Sequence, residues 1–395
     1  MILICGMQIY EENICSCALN RIFGFTPKAG LTLLAHFGSA SEVFRASRTQ
    51  LEEALGARPQ HIGRICKEAV EAAGKELREL SASDIRFAGW NEEGYPPLLK
   101  ECPDAPLGLY IRSTTRTEEL WKPATKIAVV GTRDISPYGR EWCSRTVTAL
   151  ASSAERPMII SGLALGTDFC AHRAALESGL ATVAVMATGP ETVYPYRHTA
   201  FAEKLYRTPG CALVTDYPPG TAPLAMHFLR RNRIIAGMSD ATILIESKIK
   251  GGGLMTSRLA FSYSRDVYAL PGRVDDVRSQ GCNRLIRDKI AEPLTSTGDL
   301  LESLGLKGLS GKCRESIAEI LRRHFGARIS EDTLTSMESF IEAVRSERGI
   351  TLEEAAYKTG MSYSKASNIA GMLEMEGLIC TDLLQRCFID VNIFG

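Results

Sequence analysis

The chain has 395 residues, 45% hydrophobic and 23% charged, with 46 basic residues balanced by 46 acidic ones. That length suits two or three domains, and the composition excludes a disordered or fibrous chain. No apolar run reaches the roughly 18 residues of a membrane helix, and Met1–Tyr10 lacks the basic start and cleavage site of a signal peptide, so neither is expected.

The charge is unevenly divided. Residues 126–302 carry 21 basic and 17 acidic side chains, whereas residues 331–395 carry 5 basic and 11 acidic ones. A polyanion is therefore expected to meet the middle of the chain and not its acidic end. The 12 cysteines are scattered. Cys15 and Cys17 stand close together but have no second pair nearby, so they make a poor zinc site and read as reduced thiols.

In chain order, residues 10–80 predict short helices. Apolar residues recur at helical spacing around Cys17–Phe23, a turn follows at Gly24–Pro27, and Leu31–Phe37 stops at Gly38. Ser41 is expected to cap the next helix, and Gln50–Leu55 ends at Gly56. Helix, glycine turn and helix, twice over, predict a helix-hairpin-helix or SAM-like domain over 1–82, with packing favoured over phosphate binding as its role. Asp84–Ser113 reads as a connector with a short strand at Leu107–Ile111.

From Lys126 the pattern changes. Apolar runs at Ile127–Val130, Met158–Ile160, Thr182–Met186, Ala212–Val214, Ala241–Ile245 and Val267–Leu270 alternate with helical stretches. Short runs buried on both faces predict a doubly wound parallel α/β sheet, a Rossmann-like domain over 83–303 including its N-terminal extension. A linker with some helix spans 304–330. Residues 331–395 predict a winged helix: helices around Phe340–Val344, Leu352–Thr359 (capped by Thr351 and ended by Gly360) and Ser364–Met375, then a two-stranded ribbon.

Ligands of an open parallel sheet sit beyond the carboxyl ends of its strands. There the chain places Gly131-Thr132-Arg133, Ser161-Gly162 with Gly166, and Gly252-Gly253 with Thr256. Glycines let backbone approach an anion, helix starts offer free N–H groups, and an arginine supplies planar donors, so these loops predict a phosphate site. The run Phe228-Leu229-Arg230-Arg231-Asn232-Arg233 is expected at a helix start, where cations oppose the macrodipole unless a polyanion offsets them. Phe228 suits either base stacking or core packing. Asp168 and His172 lie four apart, yet with no third ligand they read as a helix-start residue and a packing histidine. Neither a metal site nor a set of catalytic residues is expected.

These residues, with Ser136, Tyr138, Gly139, Ala171-His172, Ile234–Ser239, Leu254–Ser257, Pro271-Gly272 and Ser279–Ile286, resemble in order and spacing the DprA family, also called Smf. The resemblance implies a cytoplasmic single-stranded-DNA-binding protein of natural transformation that protects incoming DNA and loads a RecA-type recombinase. It further implies a homodimer, no cofactor and no membrane. By position, Arg133 and the glycine loops would hold backbone phosphate, and Arg231-Asn232-Arg233 would line the DNA groove. Ser247 replaces the usual Ala, and Gly251–Leu254 replaces Ser-Gly-Ser-Leu, both with small residues kept. Lys289-Ile290 replaces the usual Gly-Ala.

The alternative is a nucleotide-processing enzyme of the lysine-decarboxylase-like phosphoribohydrolase type. That chemistry needs a Glu closely following the glycine loop, whereas Glu246 precedes it. A dinucleotide oxidoreductase is disfavoured because Gly131-Thr132-Arg133 is not Gly-x-Gly-x-x-Gly.

Overall fold

A computed structural model describes residues 2–56, 59–307, 317–326, 329–347, 349–382 and 384–389. The chain divides into two compact units, Met1–Gly308 and Leu309–Gly395.

The first unit begins with six helices: α1 (Ile2–Phe23), α2 (Pro27–Phe37), α3 (Ala40–Arg45), α4 (Arg48–Leu55), α5 (Pro59–Ile62) and α6 (Lys67–Leu80). Local chemistry sets their ends. Pro27 starts α2, and Gly38, at φ 82°, closes it in the left-handed region. At α4, Ser47 and Gln50 form a reciprocal capping box, an arrangement that contributes about 1 kcal/mol. The cap of α3 is Ser39, whose Oγ accepts from Glu42 N at 3.2 Å. Ser41, the cap expected from sequence, lies inside that helix.

One sheet follows. Its strands are β1 (Ile85–Gly89), β2 (Gly108–Arg112), β3 (Lys126–Val130), β4 (Met158–Ser161), β5 (Thr182–Val185), β6 (Ala212–Thr215), β7 (Ala241–Leu244), β8 (Asp266–Ala269) and β9 (Glu292–Pro293). Their spatial order is β1-β2-β6-β5-β4-β3-β7-β8-β9. From β6 to β9 neighbours are parallel, while β1, β2 and β6 run antiparallel. The intervening helices are α7 (Pro97–Lys100), α8 (Thr117–Leu120), α9 (Pro137–Ala151), α10 (Thr167–Glu177), α11 (Thr199–Arg207), α12 (Ala225–Gly237), α13 (Gly252–Ser262), α14 (Gln280–Arg287) and α15 (Thr297–Ser303).

Alternation along each strand explains the unbroken apolar runs. Ala128, Val130, Ile160 and Val183 enter one core, and Ile127, Val129, Ile159 and Ile243 enter another across the sheet. The N-terminal helices cover the antiparallel end, where Cys17, Ala18 and Ala73 pack on Phe87 and Tyr110. Strand β1 has no counterpart in the elements expected from sequence; it lies within the stretch read as connector.

The chain steps outward from β3 through β4 and β5 to β6, then returns to place β7 on the other side of β3. This reversal makes the carboxyl ends of β3 and β7 the topological switch point, where neighbouring loops part and leave a crevice.

The second unit contains α16 (Ile317–Phe325), α17 (Glu331–Ser346), α18 (Leu352–Thr359), α19 (Tyr363–Met375) and the antiparallel pair β10 (Ile379–Thr381) and β11 (Cys387–Ile389). Thr351 and Glu354 form the capping box of α18, and Gly360, at φ 66°, ends it. Helix α17 is longer than the expected Phe340–Val344 because Ser330 caps it, its Oγ accepting from Thr333 N. Helix α16 lies within the segment expected as linker; its Ile320, Leu321 and Phe325 join Phe340, Ile341 and Leu373 in this unit's core. Among the described residues, no helix is long and apolar enough to cross a membrane.

Candidate nucleic-acid interface

Two glycines set how closely the loops at the switch point approach each other. A Cβ on Gly253 would lie 2.9 Å from the Cα of Gly131, and a Cβ on Gly131 would lie 2.9 Å from the Glu246 carbonyl oxygen. No other residue type fits either place without displacing backbone. The start of α13 is thereby drawn against the end of β3.

The loop after β3 is tied down from beneath. Glu246 is 1% exposed. Its carboxylate accepts from Ser136 N at 2.8 Å and from the Ser136 hydroxyl. Ser136 in turn caps α9, its Oγ accepting from Gly139 N at 3.0 Å. From the side, the Thr132 carbonyl accepts from Thr167 N and Thr167 Oγ1. Arg133 is left exposed at the crest of this anchored loop.

The resulting cleft is about 640 Å³. Of the residues expected from sequence, Gly131, Thr132, Arg133, Phe228, Arg231, Asn232, Gly252, Gly253 and Thr256 line it. The Arg133 guanidinium sits over the Phe228 ring at 5.1 Å, a stacked pair that presents a cation and an aromatic edge together. Thr256 donates its hydroxyl back to the Gly252 carbonyl at 3.1 Å, so its side chain closes the first turn of α13. Gly251 precedes that turn with no side-chain cap, which leaves helix-start N–H groups without a partner from a capping side chain.

Lys248 and Lys250 also line the cleft, and both are exposed. They flank Ile249 immediately before the glycine run, and two lysines beside a glycine loop are the sequence signal for them, which the glycines alone do not carry. Tyr194, from the loop after β5, is a third addition. Its ring meets Phe228 at 5.5 Å, a pairing across 34 positions of chain that no local pattern announces. Asp134 lines the cleft as well. Its charge is taken up by Arg278, whose Nη2 lies 2.9 Å from Asp134 Oδ2.

The arginine run is divided by the helix that carries it. Because α12 starts at Ala225, these arginines sit in mid-helix and not at its start, and the expected macrodipole conflict does not arise. Arg230 and Arg233 share one helical face and converge on Asp216, Arg233 at 2.6 Å and Arg230 at 3.6 Å. Arg230 also stacks on Phe25 at 4.3 Å, and Arg233 donates to the Asp104 carbonyl. Neither lines the cleft.

Arg231 faces the other way. It is 3% exposed, its Nη1 donates to the Val185 carbonyl at 3.0 Å, and burial pulls its pKa down to about 10, with Asp168 opposing that shift. Asp168 is pushed up by burial while Arg231 pulls it back. The two thus moderate each other at the floor of the cleft, which both line.

The middle loop lines the cleft through Ala164 and Asp168, whereas Ser161, Gly162 and Gly166 support it from outside the lining. Ser161 is buried, and its Oγ donates to the Val129 carbonyl at 2.6 Å. Gly162 lies under the Arg231 guanidinium. Gly166, at φ 75°, abuts the carbonyls of Thr132 and Arg133. His172 is buried with Nδ1 2.7 Å from Thr182 Oγ1, a packed histidine as its alanine neighbours suggested. Among the described residues, no group of three or more His, Cys, Asp or Glu side chains is placed to hold a metal.

A Rossmann-like sheet with a cationic, glycine-walled cleft at its switch point defines the class: an open, doubly wound α/β domain with its crevice where such domains take their ligands. Residues 86–305 match the family of DNA recombination-mediator protein A, and the chain belongs to that family. It is 36% identical to Protein Smf of Escherichia coli over 54% of this chain and 55% of that protein, so the match spans about half of that relative's length. The solved DNA processing protein A of Streptococcus pneumoniae superimposes with a TM-score of 0.62 at 30% identity, covering 72% of this chain and 95% of that one. DNA processing protein A of Helicobacter pylori, solved to study its single-stranded DNA binding mode, gives a TM-score of 0.50 at 25% identity over 57% and 97%.

Proposed function

We propose that this chain binds single-stranded DNA through the switch-point cleft. In this reading Arg133, Lys248, Lys250 and the start of α13 hold backbone phosphates, and Phe228 with Tyr194 stacks on bases. The observation that carries it is the exposed Arg133 guanidinium over Phe228 at the mouth of a cleft with two further unburied lysines. Donors aimed at phosphate and rings that accept any base describe a strand binder of low sequence preference. The family and the Helicobacter pylori relative's binding mode support the same choice.

Within this reading the bound strand is protected and passed to a RecA-type recombinase during natural transformation, by a homodimer in the cytoplasm. A nucleotide-processing enzyme is the weaker reading. Glu246 precedes the glycine loop instead of following it, is buried, and already accepts two hydrogen bonds from Ser136. The deciding experiment titrates single- and double-stranded oligonucleotides across a salt series, alongside a nucleotide-hydrolysis assay. Salt-sensitive binding to single strands without hydrolysis is expected; salt-independent binding, or preference for one duplex sequence, overturns the proposal.

A further inference from the structure

We propose that a second pocket, on the far side of the loop that precedes α10, is a phosphodiester subsite for the same strand once it has left the first cleft. This rests on the single-strand reading above. The pocket is about 500 Å³ and is walled by Arg140, Arg173, Arg197, Phe169, Phe201 and His198. No carboxylate lines it. All three arginines are exposed. Among the described residues, no carboxylate pairs with Arg140 or Arg197, and Arg173 has only Glu177 at 3.8 Å in a solvated pair, which holds it weakly. Three guanidiniums around one hollow, with one solvated carboxylate partner among them, suit an anion, and their planar donors match phosphate.

The pocket wall is firm. Phe169 stacks on His198 at 4.5 Å and packs on Phe201 at 4.8 Å. His198 Nδ1 lies 2.9 Å from the Leu163 carbonyl. The hollow is therefore held by ring packing and does not depend on the arginines for its shape.

A continuous path joins it to the first cleft. From Arg133 and Phe228 the rings step to Tyr194 at 5.5 Å and on to Tyr196 at 6.0 Å, and Arg197 is the next residue but for none between. Tyr194 is 39% exposed and Tyr196 67%. Exposed rings in series between two sets of cations are the pattern of a single-strand track, with bases on the rings and phosphates on the arginines. On the backbone side Gly166 joins the two directly: it lines the second pocket, and a Cβ on it would fall 2.6 Å from the Arg133 carbonyl oxygen.

Phosphate chemistry also fits a free phosphate or a mononucleotide, and the experiment separates these sources. Fluorescence anisotropy on the full chain compares oligothymidines of about 4 and about 16 nucleotides for the parent and for Arg140→Ala with Arg197→Ala. Long-strand affinity is expected to fall roughly tenfold, and the log–log salt slope by about 1.4, as two lost phosphate contacts require. Short-strand affinity is expected to hold, and Arg140→Lys with Arg197→Lys is expected to keep most of the slope. Unchanged long-strand affinity and slope in a double variant that melts like the parent overturns the proposal. So does a thermal shift with inorganic phosphate that the double variant abolishes while long-strand binding stays intact, since the pocket would then serve a small anion. If the parent binds neither length, the single-strand reading itself fails, and the subsite with it.

Discussion

The guanidinium of Arg231 lies directly over the Cα of Gly162, where a Cβ would overlap Nη1. The cleft floor is thus built from a buried cation and an absent side chain. Gly162→Ala should push Arg231 from the Val185 carbonyl and strand a buried guanidinium. A loss of about 1–3 kcal/mol in chemical denaturation is expected. Adding Arg231→Met should recover part of it, because the clash and the stranded guanidinium vanish while Asp168 loses the cation that opposes its burial. Additive losses in the double variant would show that the two residues act independently.

Arg133 and Arg233 should behave as opposites although both were read from sequence as DNA contacts. Arg133→Ala removes an exposed cation; it should leave melting unchanged and lower the salt slope of single-strand binding by about 0.7. Arg233→Ala leaves Asp216 buried without its nearer partner, which costs about 3–5 kcal/mol. A stable Arg233→Ala protein that binds DNA poorly would reverse this assignment.

How much of this was legible beforehand depended on the helix start. The glycine loops, six parallel strands and the capping residues of α18 follow from local pattern, because glycine geometry and apolar alternation are short-range. The fate of the arginines hinged on where α12 begins. Once Ala225 is its first residue, Phe228, Arg231 and Ile235 fall on one face and Arg230 with Arg233 on another, which is how the structure divides them. Tyr194 and Lys250 are different cases. The first reaches the cleft through tertiary packing alone, and the second stood in plain view beside Gly251.

Acid should destabilise the chain through His172. An unfolded histidine protonates near about pH 6.5, whereas burial, assisted by Arg231 and His198, pulls the folded one down to about 3. Between those values the unfolded chain binds more protons, so this group's contribution is lost as pH falls. Glu92 runs the other way: burial pushes its carboxyl up to about 7, and its contribution is lost as pH rises from about 4.3 to that value. Urea midpoints from about pH 6 to about pH 4 should fall less steeply for His172→Gln than for the parent. Parallel slopes would remove His172 from the account.

The acidic second unit should add little to DNA affinity. Its helix α19 offers Lys365, which is 3.7 Å from Asp332, and net negative charge repels a polyanion. A cut near Ser330 would be a poor test, since it leaves Ile320, Leu321 and Phe325 of α16 without their core. The cut belongs at Gly308, the boundary of the first unit. Residues 1–308 should retain nearly all single-strand affinity; loss of most of it in a folded product would refute the charge argument.

The last strand of the sheet, β9, is two residues long and ends in Pro293. A proline brings no N–H, and so short a margin gives an approaching strand almost nothing to zip onto. Copies crowded side by side along one polymer would bring such margins together repeatedly. A blunt edge lets them stand shoulder to shoulder without fusing into an ever-growing sheet.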